Sequence, residues 1–97
     1  MAIRVIIEFH ARPGLREELR SLLESVDAKS GPGAPGYLGS TRYEVLEDPD
    51  ALVEIADWET AEARTTAVQA VMASGVYGPL SELLAAPLRA TVIRQLS

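Results

Sequence analysis

The chain has 97 residues, a formal net charge of −5 and no cysteine. Its length allows one domain, the missing cysteines exclude disulfides and thiolate metal sites, and the scattered Lys and Arg do not form the basic stripe that a nucleic-acid partner needs. No apolar run approaches the roughly 20 residues of a membrane span, and the first residues lack the order of regions found in a signal peptide. We therefore expect a single cytoplasmic domain over residues 1–97, with neither a nucleic-acid nor a membrane partner.

The first two predicted elements are a strand and an amphipathic helix. In residues 3–10, bulky apolar side chains occupy every second position, which is the period of a strand. Pro13 and Gly14 end this run. From Leu15 to Val26, apolar residues recur at helical spacing, with Arg and Glu on the opposite face. Three glycines and two prolines in residues 31–36 then predict a loop, because they break both periods.

A hairpin of two strands is predicted next. Residues 37–46 alternate and place Tyr37 and Tyr43 on the same face. Residues 52–58 are a β-branched and apolar run that ends in Trp58, the only tryptophan. The tripeptide Asp48-Pro49-Asp50 between them is expected to be the turn, because proline presets the backbone angle that a turn needs.

Two helical segments and a strand complete the chain. Thr60 is expected to cap a helix that begins near Ala61, and Ser74-Gly75 is expected to interrupt it. A third helical segment is predicted over residues 79–86, and a last strand over residues 88–96. This order predicts an α+β, ferredoxin-like βαββαβ fold, with a four-stranded antiparallel sheet and the helices on one face.

The strands carry bulky apolar residues on both faces, although helices in this arrangement cover only one. A second copy of the chain, related by two-fold symmetry, is the simplest cover for the remaining face. The alternative is that Ile6 and Ile93 are isolated exposed apolar residues, which are common. We expect a homodimer joined through the face away from the helices.

Few residues suit acid–base or metal chemistry. His10, the only histidine, is a candidate for proton transfer, although a surface or interface position is its commoner role. There is no second His and no cluster of carboxylates at ligand spacing, which argues against a metal site. The glycine-rich residues 31–36 follow a helix rather than the strand of a phosphate loop. We expect neither a metal nor a bound cofactor.

Aromatic residues are the remaining candidates. A ring at a junction between strand and helix more often fills the core than contacts a ligand. Trp58, Tyr37, Tyr43 and Tyr77 are nevertheless predicted in the half of the fold that would flank one pocket. We predict a pocket walled by Trp58, with Tyr43 and Tyr77 close enough to contact a flat apolar ligand.

Three segments, in order along nearly the whole chain, carry a family resemblance. They are the run from Val5 to His10 with Pro13-Gly14 before a leucine-rich helix, Pro35-Gly36 before the second strand, and Asp57-Trp58-Glu59-Thr60 followed by Glu62-Ala63. Together they resemble the antibiotic biosynthesis monooxygenase (ABM) family. The resemblance implies a dimeric α+β barrel, in which two ferredoxin-like sheets meet face to face.

The resemblance also implies a function. Characterised members of the family include small monooxygenases that oxidise aromatic polyketides to quinones with dioxygen, without metal or flavin. On this basis the chain is expected to be an enzyme that oxidises a small polycyclic aromatic ligand. The family motif carries over to Trp58 and more loosely to Tyr77, while Tyr43 and His10 join them as catalytic candidates from their residue types.

One departure from the family narrows the function, and two alternatives stay open. Haem-degrading relatives carry an Asn on the first strand and a His in the second helical region. This chain has no Asn, and its helices have no His, so it does not fit that role. A non-catalytic dimeric binding module, or a cyclase or isomerase on the same barrel, are the alternatives.

Overall fold

The structure, a computed structural model, describes residues 2–30, 33–75 and 77–96. Gly31 and Pro32 of the predicted loop lie outside these described residues. The elements in chain order are β1 (Ile3–His10), α1 (Arg16–Ser30), β2 (Tyr37–Val45), β3 (Asp48–Trp58), α2 (Ala61–Ser74), α3 (Leu80–Leu83) and β4 (Arg89–Ile93). The strands form one antiparallel sheet in the order β2-β3-β1-β4. The ferredoxin-like βαββαβ fold is therefore confirmed.

One face of the sheet forms the core with the helices. Alternate residues of β1 and β3 point to this side, and the two strands pair in register, so their buried side chains lie next to one another. Two clusters of buried residues result. The first joins α1 and α3 to the sheet and contains Phe9, Ala11, Leu19, Leu23, Leu52 and Leu80. The second, which we call the Trp58 cluster, contains Ile3, Val5, Ala56 and Trp58.

A β-bulge changes the alternation of β2. The register with β3 shifts between Tyr37 and Gly39. An extra residue in one strand moves every following side chain to the opposite face. Beyond the bulge, Arg42 therefore shares the helix-covered face with Tyr37, whereas Tyr43 lies opposite Val53 on the other face. The prediction that Tyr37 and Tyr43 share a face is wrong.

The turn between β2 and β3 comes earlier than predicted. Val45 pairs with Asp48, so Leu46 and Glu47 form a two-residue turn. The tripeptide Asp48-Pro49-Asp50 instead begins β3. The Asp48 carboxylate accepts a hydrogen bond from the backbone N–H of Asp50 at 3.0 Å. Pro49 is accommodated because it stands at the start of the strand, where a missing N–H is tolerated.

Helix α2 begins and ends at the predicted signals. The Thr60 hydroxyl accepts a hydrogen bond from the backbone N–H of Ala63 at 3.0 Å, which caps the first turn. Gly75 ends the helix with a left-handed φ of 76°, and its N–H donates to the carbonyl of Met72 at 3.3 Å. The structure describes the whole of α2, and none of its residues is fully buried. The helix therefore packs less tightly than α1, where Leu19 is wholly buried.

The last two elements are shorter than predicted. Helix α3 ends at Leu83 rather than at residue 86, because Leu84 is extended and forms a bridge with Ala11. Strand β4 covers Arg89–Ile93 rather than residues 88–96, because these are the residues that pair with β1. Both boundaries depend on contacts with β1 or with Ala11 just after it, which lie far away in the sequence.

The described helices all pack on one side of the sheet and leave its other face uncovered. Ile6 and Ile55 lie opposite each other there, and Tyr43 and Ile93 are 49% and 39% exposed. We call this surface, made of Ile6, Tyr43, Val53, Ile55 and Ile93, the open face. The exposed pair of Arg4 Nε and Asp57 Oδ1, at 2.8 Å, lies on the same side. Each helix within the described ranges is too short or too polar to span a membrane.

Candidate functional site

A cavity of about 100 Å³ lies between the helix-covered face of the sheet and α2. Its sheet side is made by β1 and β3, and its opposite side by one stripe of α2. The residues of these two sides are mostly small or aliphatic: Val5, Ile7 and Ala56 from the strands, and Ala67, Val68 and Val71 from the helix. We call this space the Trp58 cavity. Its composition is that of a small-molecule site, which is apolar with a few polar groups at defined places.

Two aromatic rings make one wall of the cavity. Trp58 is the last residue of β3 and pairs across the sheet with Tyr37, the first residue of β2. Their ring centroids are 5.1 Å apart at an interplanar angle of 60°, an edge-to-face contact that fixes both orientations. Trp58 is only 9% exposed, yet it lines the cavity. It belongs to the core and borders free space at the same time.

Polar groups connect this wall to α1. The Tyr37 hydroxyl donates to Ser40 Oγ at 2.8 Å, and Ser40 Oγ donates to Asp27 Oδ2 at 3.5 Å. Arg42 Nη2 also donates to Asp27 Oδ2, and it donates to the carbonyl oxygen of Leu23 at 3.2 Å. Tyr37, Ser40 and Asp27 all line the cavity. One end of an otherwise apolar space is therefore polar and charged.

Glu54 is the buried charge at this end. It stands opposite Arg42 in the sheet, is 9% exposed and lines the cavity. Glu54 Oε1 lies 3.0 Å from Arg42 Nε, but the two groups are not aligned as a hydrogen bond, and neither atom has another partner among the described residues. Burial raises the pKa of Glu54, the charge of Asp27 raises it further, and Arg42 opposes both. Glu54 therefore titrates at a higher pH than an exposed carboxyl does.

Glu54 was not among the site residues predicted from the sequence. A single Glu between apolar neighbours in a strand usually faces water. The signal was nevertheless present, because alternation places residue 54 on the same face as Leu52, Ala56 and Trp58. A charged residue on a buried face needs a partner or a function.

Tyr77 reaches the same cavity from the segment between α2 and α3. Burial raises the pKa of its hydroxyl, and the negative charges of Glu54 and Asp27 raise it further. The hydroxyl therefore stays protonated and can donate a hydrogen bond. The structure thus brings two of the four predicted site residues, Trp58 and Tyr77, to one cavity.

The other two predicted site residues lie elsewhere. Tyr43 is on the open face, because of the bulge in β2, so the prediction that it joins Trp58 and Tyr77 at one pocket is wrong. His10 is exposed at the end of β1 and is not among the residues that line the Trp58 cavity. Among the residues that the structure describes, no three His, Cys, Asp or Glu side chains are grouped to hold a metal ion.

Comparison with solved structures shows the same fold in several bacterial and archaeal proteins. A conserved protein from Methanosarcina mazei has a TM-score of 0.86 at 21% identity, with 99% of this chain and 94% of that chain covered. A protein from Mycobacterium tuberculosis has a TM-score of 0.83 at 24% identity, with coverages of 100% and 97%. SnoaB, a cofactor-independent oxygenase from Streptomyces nogalater, has a TM-score of 0.83 at 17% identity, with coverages of 99% and 94%. At these identities the likeness shows the fold alone.

The sequence itself identifies the family. No curated protein matches the chain. The model of the family described as antibiotic biosynthesis monooxygenase matches residues 2–72, which include β1 to β3 and most of α2. The match therefore covers the strand that ends in Trp58 and most of the residues around the cavity. The chain belongs to the antibiotic biosynthesis monooxygenase family.

Proposed function

We propose that the chain is a cofactor-independent monooxygenase that oxidises a small aromatic substrate of the polyketide type with dioxygen. The observation that carries the proposal is the Trp58 cavity, which combines an aromatic wall, aliphatic sides and one charged end. Membership of the ABM family and the fold shared with SnoaB, which is described as a cofactor-independent oxygenase, support it. One fold hosts many activities, so the residues of the site, more than the fold, support this function.

The proposed reaction needs no electron donor other than the substrate. An anthrone-type substrate loses the two hydrogens of its reacting methylene group. One atom of dioxygen becomes the new carbonyl oxygen of the quinone, and the other leaves with these hydrogens as water. The tasks of the protein are to hold the rings against Trp58, to exclude bulk water and to hydrogen-bond the substrate oxygen. The protonated hydroxyl of Tyr77 is a donor for the last task.

The size of the cavity requires α2 to move when such a substrate binds. Ligand pockets usually measure about 300–1,000 Å³, and a single benzene occupies a cavity of about 150 Å³, whereas the Trp58 cavity measures about 100 Å³. Helix α2 is the wall that moves at the least cost, because none of its residues is fully buried. A neighbouring groove between α2 and the loop before β2, lined by Ala63, Thr66 and Ala70 of the helix, borders it.

A second candidate function is a non-catalytic binding module. The small cavity volume favours it, because the space as it stands fits part of a ring system better than a whole polycyclic substrate. The two functions differ in one observable, since a binding module would take up an aromatic ligand without consuming oxygen.

The proposal is tested by oxygen consumption with anthrone as the substrate. We expect the purified protein to consume one dioxygen for each anthraquinone formed. The rate should exceed that of spontaneous oxidation in a control sample whose protein has been denatured by heating. No added metal, flavin or haem should be required. Tight binding of anthrone with oxygen uptake equal to that of the heated sample would contradict the proposal and favour the binding module.

Two phenol-to-phenyl substitutions provide a matched comparison. Tyr77→Phe removes a hydroxyl from the Trp58 cavity, and Tyr43→Phe removes one from the opposite face of the sheet. Loss of one preorganised donor costs about 10²–10³ in rate, so Tyr77→Phe should slow turnover by up to this factor while the fold is unchanged. Tyr43→Phe should turn over the substrate at the same rate as the unchanged protein. Equal effects of the two changes would contradict the role of Tyr77.

We also propose that the chain, residues 1–97, acts as a single domain in a cytoplasmic homodimer. The open face supports the dimer, because it gathers apolar side chains on an uncovered sheet surface. The sequence has no cysteine, as suits a reducing compartment. Two copies joined through their open faces would leave both Trp58 cavities on the outside of the paired sheets.

A further inference from the structure

Glu54 lines the Trp58 cavity, and its buried Oε1 is paired by charge with Arg42 without an aligned hydrogen bond. The residue is 9% exposed as a whole, and its side chain is 11% exposed. Buried carboxylate oxygens are normally hydrogen-bonded. Oε1 of Glu54 has no hydrogen-bond partner among the described residues, although the residue lines the cavity. A ligand that brings a donor into this space would satisfy it.

Arg42 forms an ion pair with Glu54, but the hydrogen bonds of its guanidinium go to other groups. Nη2 of Arg42 donates to Asp27 and to the carbonyl of Leu23, which fixes the plane of the group. Its Nε therefore lies 3.0 Å from Glu54 Oε1 without pointing along a hydrogen bond. The positive charge of Arg42 stabilises the ionised form of Glu54 at short range.

Charged and titratable groups face Glu54 from each neighbouring element. Arg42 on β2 is the nearest cation, and Asp27 on α1 is a nearby anion. Arg64 on α2 and Tyr77 after α2 line the same cavity. Burial raises the pKa of Glu54, and Asp27 raises it further, so the group titrates at a higher pH than an exposed carboxyl. General bases work best when their pKa is close to the working pH.

We infer that Glu54 is the proton acceptor for a hydroxyl group of the bound ligand, and that the cavity therefore selects aromatic ligands carrying a phenol or an enol. The inference deepens the proposed function and rests on it for the identity of the ligand. In the step itself the ligand O–H bond breaks and an O–H bond to Glu54 forms. The electron pair stays on the ligand oxygen, which becomes an oxyanion, and no oxidant or reductant takes part. The oxyanion is the electron-rich form that dioxygen oxidises.

The hydroxyl preference is tested first by binding alone. The probes are 1-naphthol and 1-methoxynaphthalene, which share the ring system but differ in the hydroxyl donor. Dissociation constants are measured by equilibrium dialysis from about pH 4 to about pH 8, where a free phenol is protonated. A hydrogen bond to a charged acceptor is stronger than one to a neutral acceptor. The difference in free energy corresponds to an affinity change of about fivefold to tenfold. We expect the preference for 1-naphthol to grow by this factor as Glu54 ionises.

Two variants with the same charge change identify the group responsible. Glu54→Gln removes the titratable carboxyl from the cavity, and Glu47→Gln removes one from the exposed turn between β2 and β3. Glu54→Gln should bind the two probes with a ratio that does not depend on pH, and Glu47→Gln should keep the original dependence. If the unchanged protein shows the same pH profile for both probes, or Glu54→Gln keeps the hydroxyl-specific profile, the inference is overturned. The comparison of the two probes with the unchanged protein needs no variant. It therefore tests the inference even if Glu54→Gln does not fold.

The rate of anthrone oxidation distinguishes a failure of this inference from a failure of the proposed function. Anthrone carries the required hydroxyl in its enol tautomer, and loss of that proton gives the anion that dioxygen oxidises. The rate with anthrone should therefore fall at low pH as Glu54 becomes protonated. Glu54→Gln should lose this acid limb and turn over about 10²–10⁴-fold more slowly. A protein that shows the 1-naphthol profile but never oxidises anthrone contradicts the proposed function and leaves Glu54 as the hydroxyl acceptor. Oxidation by Glu54→Gln at the original rate with the original acid limb contradicts the role of Glu54 and leaves the proposed function standing.

Discussion

Glu54 links the charge of the Trp58 cavity to the stability of the fold. Its pKa in the folded chain is raised, mainly by burial, above that of the unfolded chain. The folded state therefore binds this proton more tightly than the unfolded state does. The stability from this group is fully present below the unfolded pKa of about 4.3 and is lost as the pH rises through the folded pKa.

This direction of the pH dependence of stability gives a prediction for Glu54→Gln that is independent of any ligand. The variant lacks the titrating group, so the free energy of unfolding of the unchanged protein minus that of the variant should fall as the pH rises from about 4. Urea unfolding of both proteins at a series of pH values measures this difference. A difference that stays constant or grows with pH would show that burial does not destabilise the ionised form.

Trp58 and Tyr43 show which positions of site residues can be predicted from the sequence and which cannot. Trp58 could be placed beside a cavity because a single strand-to-helix junction fixes its position. Tyr43 was assigned to the wrong face, because its face depends on a bulge between Tyr37 and Gly39. A glycine inside a strand is a signal of such a bulge, but it does not fix how far the register shifts. Glu54 was accessible in principle from the alternation of β3, but its unpaired oxygen depends on where Arg42 points.

At the level of the elements, the loop before β2 contacts α2 closely at Gly36. This residue has a φ of +82°, and a Cβ added there would lie 2.6 Å from the Cβ of Ala63. Gly33 in the same loop has a similar φ of +85°, but a Cβ there would meet nothing within 4 Å. Both positions disfavour any side chain through backbone strain, and only Gly36 adds a clash.

We therefore predict that Gly36→Ala is more destabilising than Gly33→Ala. Overpacking typically costs about 1–3 kcal/mol, and this should be the difference between the two variants in free energy of unfolding. Urea unfolding of both proteins measures it. Equal losses would mean that α2 shifts freely to accept the methyl group, and the contact of the loop with α2 would then not hold the helix in place.

The N-terminal cap of α2 gives a second prediction for this helix. Thr60→Ala removes the hydroxyl that accepts the N–H of Ala63 and should lower the free energy of unfolding by about 1 kcal/mol. Thr60→Ser keeps the acceptor and should stay close to the unchanged protein. Thermal or urea unfolding of the three proteins decides this, and a Thr60→Ser loss as large as that of Thr60→Ala would contradict the capping role.

Element order was more predictable than element ends. The helix cap at Thr60 and the break at Gly75 are local signals, and both appear where the sequence places them. The end of α3 is set by the bridge of Leu84 with Ala11, just after β1, and the ends of β4 are set by pairing with β1. The turn at Leu46 and Glu47 is set by the register of β2 with β3. Contacts between distant segments cannot be predicted from any one short stretch of the sequence.

For the whole molecule, the open face gives a prediction about assembly. Ile55 lies opposite Ile6 in the sheet, so Ile55→Glu places a charge in the middle of this face. Met72→Glu makes the same kind of change on α2, where Met72 is 62% exposed and lies outside the open face. We expect sedimentation at micromolar concentration to show a dimer for the unchanged protein and for Met72→Glu, and a monomer for Ile55→Glu. A stable, folded monomer of the unchanged protein would rule out the proposed dimer.

The central claim, that the Trp58 cavity holds a flat aromatic ligand, is tested most directly by the fluorescence of Trp58. This residue is the only tryptophan, so excitation beyond the absorption of tyrosine reports on the cavity alone. Titration with 1-naphthol, read at an emission wavelength where 1-naphthol itself contributes little, should quench the Trp58 emission until one equivalent per chain is bound. The midpoint should agree with the dissociation constant from equilibrium dialysis. Binding seen by dialysis with no change in Trp58 emission would place the ligand elsewhere on the protein and contradict the claim.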